Sequence, residues 1–286
     1  MAIEAIVADL WGTTIKEAGD LWSLLRDLYK IEMDEWRIKV SPITMTKKYE
    51  NVKDLIDDLP QLLGRPLTEP ESDRIKEILG KKDANGELVY KLPAGSDMPQ
   101  NVLLAAELHL KYSLENSTLY DDAIDVLSKL HRQGKKIAFY SNINSLYAPV
   151  IEKILIPGLE KAGIVVPREH IILSYEVKKC KPMDRKKILE TLASPNGKED
   201  LLQGYKAFYD LVVQSLGISR EKILVIGDGA TIDVILPVFL EFGDAVKINR
   251  RYSRSKSTER FKIIGERTVV NSFYGLLSYM SDKGII

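Results

Sequence analysis

Cysteine, histidine and long apolar runs are all scarce in this sequence. Its 286 residues include one cysteine and three histidines. Cys180 alone cannot build an internal disulfide framework, and a single thiol suits a reducing compartment. His109, His131 and His170 are scattered with no ligand spacing, which argues against a zinc site. No apolar run approaches the roughly 20 residues that a membrane span needs. The opening residues carry Glu4 and Asp9 with no basic leader, so no secretory signal is expected. Excess charge is missing too: 41 Lys and Arg balance 41 Asp and Glu, which argues against binding nucleic acid or a membrane surface. The basic stretch Asn249 to Lys262, "NRRYSRSKSTERFK", reads as a solvated loop because the rest of the chain supplies compensating acid. The expectation is a soluble, cytoplasmic protein with a small-molecule partner. Its oligomeric state is not legible.

What is present is an alternation of short apolar runs with amphipathic segments. Ile3 to Ala8, Lys136 to Tyr140, His170 to Leu173, Lys222 to Ile226, Ala245 to Ile248 and, more weakly, Thr268 to Val270 have the near-continuous apolar character of parallel strands buried on both faces. Helical patterns run between them over Tyr120 to Arg132, Leu146 to Ala162, Tyr205 to Leu216, Thr231 to Phe242 and Ser272 to Met280. Such alternation predicts right-handed crossovers and a doubly wound, Rossmann-like α/β sheet. Residues 15–115 break the alternation with helices over Leu21 to Lys30, Thr46 to Leu63, Glu71 to Lys81 and Asn101 to Leu114, and one short strand over Leu88 to Lys91. They read as a second, all-helical domain inserted after the first strand of a core formed by 1–14 and 116–286. A smaller insertion, Leu189 to Gln203, lengthens the link between the third and fourth strands.

In open α/β sheets, ligands bind beyond the carboxyl ends of the strands. The first strand ends in Asp9, with Gly12-Thr13 just after it, and the second ends in Ser141-Asn142. Lys181-Pro182 lies between the third and fourth strands, and the fourth ends in Gly227-Asp228-Gly229, with Asp233 five residues past Asp228. Carboxylates gathered on one edge repel unless a cation sits between them, and hard oxygen ligands suit Mg²⁺. A carboxylate beside that ion can attack phosphorus. Thr13, Ser141 and N–H groups of the Gly12 turn would hold phosphoryl oxygens, with Lys181 neutralising charge.

The order Asp-x-x-Gly-Thr, Ser-Asn, Lys-Pro, Gly-Asp-Gly-x-x-x-Asp resembles the four motifs of the haloacid dehalogenase-like (HAD) superfamily. Its members are mostly phosphatases, with relatives that cleave carbon–halogen and carbon–phosphorus bonds. The resemblance covers about 1–14 and 116–250 and makes the helical insertion a cap. It implies Asp9 as nucleophile, Thr13 and Ser141 as phosphate ligands, Lys181 as charge neutraliser and Asp228 as a Mg²⁺ ligand. The Trp11 main-chain carbonyl would be another ligand, and Asp233 would join the metal or support Asp228 or Lys181. Gly12 and Asn142 fall on the substrate side. Trp22, Arg26, Trp36 and Arg37 are candidate pocket residues of the cap.

Phosphatases of this family carry aspartate two residues after the nucleophile as general acid and base; here that residue is Trp11, whose indole cannot do the work. L-2-haloacid dehalogenases are similar in having an aromatic there, and Arg37 resembles their cap arginine, but they lack an acid at the position of Asp228. Phosphonoacetaldehyde hydrolases use a cap lysine as a Schiff base, and nothing around Lys47 or Lys48 matches. The main reading is a Mg²⁺-dependent phosphatase of a small phosphorylated metabolite. The alternatives are a dehalogenase-like hydrolase and a weakly active phospho-ligand-binding protein. Cys180, although flanked by lysines that would lower a thiol pKa, reads as a passive neighbour.

Overall fold

The computed structural model describes residues 2–82, 86–90, 102–180, 190–191, 194, 196–250, 261–264 and 267–286. Strands β1 (Ala5–Asp9), β4 (Lys136–Ser141), β5 (Ile171–Leu173), β6 (Ile223–Gly227), β7 (Asp244–Ile248), β8 (Phe261–Ile264) and β9 (Arg267–Val270) form one sheet in the order β5-β4-β1-β6-β7-β9-β8. Each pair from β5 to β9 is parallel; β8 closes the edge antiparallel to β9. Numbered along the chain, the six parallel strands read 3-2-1-4-5-6, the order of a doubly wound fold, and the winding reverses between β1 and β6.

The continuous apolar strands have the cause expected of them, since every residue of β1 is buried. Its side chains alternate between two cores. Ile6 and Ala8 belong to one core with Ala123, Val126, Leu127, Phe273 and Leu276, whereas Ala5 and Val7 belong to another with Phe208, Val212, Leu216 and Leu236. Helices Asp121–Arg132 and Phe273–Asp282 thus cover one face, and helix Gly197–Leu216 the other. That last helix begins eight residues before the expected Tyr205, inside the expected insertion.

Chain enters and leaves the insertion through a two-stranded ribbon absent from the expectation, β2 (Ile15–Lys16) paired antiparallel with β3 (Thr118–Leu119). Between them lie helices Leu21–Leu28, Val52–Leu63, Ser72–Leu79 and Val102–Asn116. The helix expected to begin at Thr46 begins at Val52. Asn51 caps it by accepting from the Asp54 N–H at 2.9 Å. The chain just before is held by the core: Ser145 Oγ accepts from the Tyr49 N–H at 2.7 Å and donates to the Tyr49 carbonyl at 2.9 Å. Asn144 donates to the Thr44 carbonyl at 2.5 Å. Residues 33–44, not expected to be helical, form Met33–Glu35, a π-helical turn Trp36–Val40 and Ser41–Thr44. In place of the strand over Leu88 to Lys91, Leu88 makes a single bridge to Lys82; Lys91 lies outside the described residues.

The π turns share a cause. Trp36–Val40, Ile151–Leu155 and Ala230–Ile235 each end two residues before a proline: Pro42, Pro157 and Pro237. Proline has no N–H to give and its ring crowds the preceding turn, so the chain widens there. The helices expected as unbroken over Leu146 to Ala162 and Thr231 to Phe242 are therefore interrupted.

Ser145→Ala should leave the buried Tyr49 N–H unmatched and lower stability by about 1–3 kcal/mol. Urea unfolding of the two proteins measures the difference.

Candidate active site at the sheet switch point

Asp9 is the last residue of β1 and 5% exposed. The loop beyond it folds back on one carbonyl: Leu10 O accepts the N–H groups of Thr13, Thr14 and Ile15 at 3.3, 2.8 and 2.7 Å. Thr14 Oγ1 donates to the Asp9 carbonyl at 2.8 Å. Gly12 has φ +70°, and a Cβ there would stand 2.7 Å from Asp228 Oδ2. Its N–H donates to Ile15 O at 3.0 Å, so Gly12 itself enters the site through its missing side chain. Thr13 is fully buried, and among the described residues its hydroxyl has no hydrogen-bond partner.

The loop after β6 is built around a second buried acid. Asp233 Oδ1 accepts from the Tyr140 hydroxyl at 2.7 Å, and Oδ2 accepts from the Gly229 N–H at 2.8 Å. A Cβ on Gly227 would lie 2.3 Å from Asp233 Cγ, so that residue has no room for a side chain. Burial first, and then the nearby Asp233 carboxylate, push the Tyr140 phenol well above its ordinary pKa, so it stays a donor. The result is a carboxylate group of three: Asp9, Asp228 and Asp233 each offer an oxygen, all within 4.8 Å of one another. Asp228 faces solvent while the other two are buried. Ser141 ends β4, whose Tyr140 is in register with Asp9, and half-buried Asn142 follows.

Strand ends that lie far apart in the chain thus bring Asp9, Thr13, Ser141, Asp228 and Asp233 to one rim. Lys181 lies outside the described residues. Arg37 is exposed on the π turn Trp36–Val40, and among the described residues it forms no hydrogen bond or ion pair with the strand-end carboxylates. Trp36 is 3% exposed and belongs to the hydrophobic core, which corrects its expected place in a pocket. Arg26 donates to Ser23 Oγ at 3.2 Å. Burial pushes the Cys180 thiol up, away from activation.

A model of the haloacid dehalogenase-like hydrolases matches residues 3–235. The chain belongs to that family. Solved structures that align with the chain include a HAD family enzyme from Bacteroides thetaiotaomicron in complex with magnesium and inorganic phosphate, at 13% identity over 90% of this chain and 98% of that one, TM-score 0.48. A HAD family hydrolase from Deinococcus radiodurans R1 with bound phosphate and sodium aligns at 14% identity over 99% and 97%, TM-score 0.49. An L-2-haloacid dehalogenase aligns at 15% identity over 98% and 100%, TM-score 0.50. No curated protein matches the chain at a significant level.

In this HAD-like hydrolase Trp11 begins an aromatic chain that runs through Tyr147, a link the sequence did not signal, to Trp22 and Trp36. The Trp11 ring meets Tyr147 edge-on at 5.4 Å between centroids, Tyr147 lies 6.2 Å from Trp22, and Trp22 lies 5.8 Å from Trp36. The Tyr147 hydroxyl accepts from the Leu21 N–H at 3.0 Å. The loop beyond Asp9 is therefore packed, ring against ring, into the helical insertion. Tyr147 and Tyr140 had no signal beyond their apolar surroundings; both act through contacts distant in sequence.

Glu17 reaches solvent, yet the protein around it and the Asp20 carboxylate push its carboxyl up to about 8. The folded state holds that proton more tightly than the unfolded chain, so the stability tied to it falls as pH rises from about 4.5 to about 8. The melting-temperature advantage of Glu17→Gln over the parent should grow across that window, as read by thermal melts in a pH series. Gly12→Ala, forced into a left-handed conformation against Asp228, should lose about 1–3 kcal/mol in chemical denaturation.

Proposed function

We propose that this hydrolase is a Mg²⁺-dependent phosphatase of a small phosphorylated metabolite, with Asp9 as nucleophile and the helical insertion as a cap that shapes the substrate pocket. The observation that carries the reading is the clustering of Asp9, Asp228 and Asp233 at the sheet's switch point, two of them buried. Buried carboxylates this close favour a cation between them. Their all-oxygen chemistry, the unmatched Thr13 hydroxyl and the side-chain-free approach at Gly12 fit a magnesium ion with a phosphoryl group beside it. Asp9, Asp228, the Trp11 carbonyl and Asp233 would hold the ion, Asp233 with its Tyr140 and Gly229 bonds retained. When bound, magnesium supplies Lewis-acid stabilisation of charge on the phosphoryl oxygens.

The chain's own residues do the rest. An Asp9 carboxylate oxygen attacks phosphorus, the bond from phosphorus to the leaving oxygen breaks, and the electron pair departs with that oxygen. Water then attacks phosphorus, the bond from phosphorus to the Asp9 oxygen breaks and returns the carboxylate, and the water's protons leave with the phosphate or pass to solvent. Thr13, Ser141 and Lys181 hold and neutralise the transferring group, with Gly12 and Asn142 beside it. The Trp11 indole has no proton that ionises near neutral pH, so it cannot protonate a leaving group. The favoured substrates are therefore those whose leaving group departs unprotonated, such as acyl phosphates and anhydrides.

The same tryptophan favours a second reading, a dehalogenase-type hydrolase in which Asp9 displaces halide from carbon and Arg37 grips a carboxylate. Phosphate release from acetyl phosphate and p-nitrophenyl phosphate separates the two. We expect Mg²⁺-dependent turnover, lost with chelator and in Asp9→Asn, and about 10²–10⁴-fold slower on sugar phosphates, the range an absent general acid typically costs. Halide release from a 2-haloacid without metal, and no phosphate release, would establish the second reading. Stoichiometric ligand binding without turnover would leave a phospho-ligand-binding protein.

A further inference from the structure

Arg250, two residues past β7, reaches back to the loop that follows Asp9. Its Nη2 and Nε donate to the Thr13 carbonyl at 2.6 and 3.3 Å, and its Nη1 donates to both carboxylate oxygens of Asp122 at 2.8 and 2.6 Å. The guanidinium carbon stands 3.8 Å from the centroid of the Tyr120 ring and 5.4 Å from that of Phe273. Asp122 Oδ2 also accepts the Phe273 N–H at 2.7 Å, and the Tyr120 N–H donates to the Thr14 carbonyl at 3.0 Å. The ion pair is close to dry, with side chains 10% and 14% exposed. Every nitrogen of the fork is engaged and both neighbouring carbonyls of the loop are gripped. Charge-assisted bonds of this kind are strong and directional.

The charge of Arg250 is matched by Asp122, so the pair brings no net charge towards the rim; it brings orientation. Holding the Thr13 carbonyl fixes the Thr13–Thr14 peptide plane. That plane carries the buried Thr13 hydroxyl, which has no partner among the described residues, on one side and Thr14, bonded to the Asp9 carbonyl, on the other. We infer that Arg250, clamped by Asp122 and stacked on Tyr120, is a positioning residue that holds the Thr13 hydroxyl ready for an oxygen of the transferring group. The last clause rests on the phosphatase reading; the hold on the loop does not.

The test pairs two measurements on the full-length protein. Hydrogen exchange of the peptide spanning residues 9–16, at a temperature where circular dichroism shows every variant folded, reports the loop directly. Arg250→Lys, which keeps a charge but loses the fork, should exchange faster there than the parent. Steady-state phosphate release reports the hydroxyl: kcat/KM should fall by about 10²-fold in Arg250→Lys, the scale of a small misplacement. Orthovanadate inhibition should weaken in parallel. In a Thr13→Val background the same substitution should cost little more, because the group it positions is already gone. Unchanged exchange over residues 9–16, or full additivity of the two substitutions, overturns the inference and leaves the pair a brace for stability alone. Should Arg250→Lys not fold, Asp122→Asn, which frees the far end of the fork, is read by the same two measurements. A parent that releases no phosphate sinks the phosphatase reading, and the exchange arm then decides the hold on the loop by itself.

Discussion

One buried carboxylate organises this end of the molecule. Asp233 has no contact with solvent, and its two oxygens are matched by a tyrosine hydroxyl from β4 and the N–H of Gly229. Because a buried carboxylate is tolerated only when its oxygens are satisfied, both partners must stay in place. Their positions dictate what surrounds them. Gly227 is confined to hydrogen because Asp233 occupies the volume of a β-carbon, and the turn from 227 to 229 leaves Asp228 standing at the rim. Gly12 in turn is confined by Asp228. The glycines and acids of the two loops are thus one packing problem with one solution, spread over three strands.

The fold makes that solution available. Reversal of winding between β1 and β6 leaves a gap above two adjacent strand ends, and the acids occupy it. The helical insertion departs from the same loop, so its attachment and the chemistry share residues. Trp11 stacks through Tyr147 to Trp22, while Asn144 and Ser145, just past Ser141-Asn142, bond to the backbone of Thr44 and Tyr49. The loop after β1 therefore meets Asp228 at Gly12 and the inserted segment through Trp11, and the loop after β4 is tied to the inserted segment at Thr44 and Tyr49.

Much of this was legible before any coordinates. Strands covered on both faces announce themselves as apolar runs, and all six parallel strands fall within a residue or two of their expected places. The acids were found because the sheet rule says where to look. What escaped has physical reasons. A two-residue ribbon such as Ile15–Lys16 with Thr118–Leu119 is too short to carry periodicity. The π turns depend on prolines whose effect is felt in the preceding turn, and the helix at Val52 starts late because a serine nearly a hundred residues away holds Tyr49. Tyr140, Tyr147 and Arg250 work only through neighbours remote in sequence, which no local pattern encodes. β8 begins at Phe261, so the last two residues of the basic stretch Asn249 to Lys262, expected as loop, are edge strand instead, and Lys181 is outside the described residues.

The ribbon that joins the insertion to the sheet has a mechanical meaning. A segment hung from a single crossing can swivel in every direction, whereas two crossings stitched to each other by backbone bonds behave as a strap. Twisting and shearing are resisted, and bending about the strap's own width is the soft direction. Because the strap begins at Ile15 and the Tyr120 N–H is bonded to the Thr14 carbonyl, any such bend pulls on the peptide next to Thr13. The peptide next to Thr13 is therefore one of the places where a movement of the inserted helices meets the core, two residues from the strap.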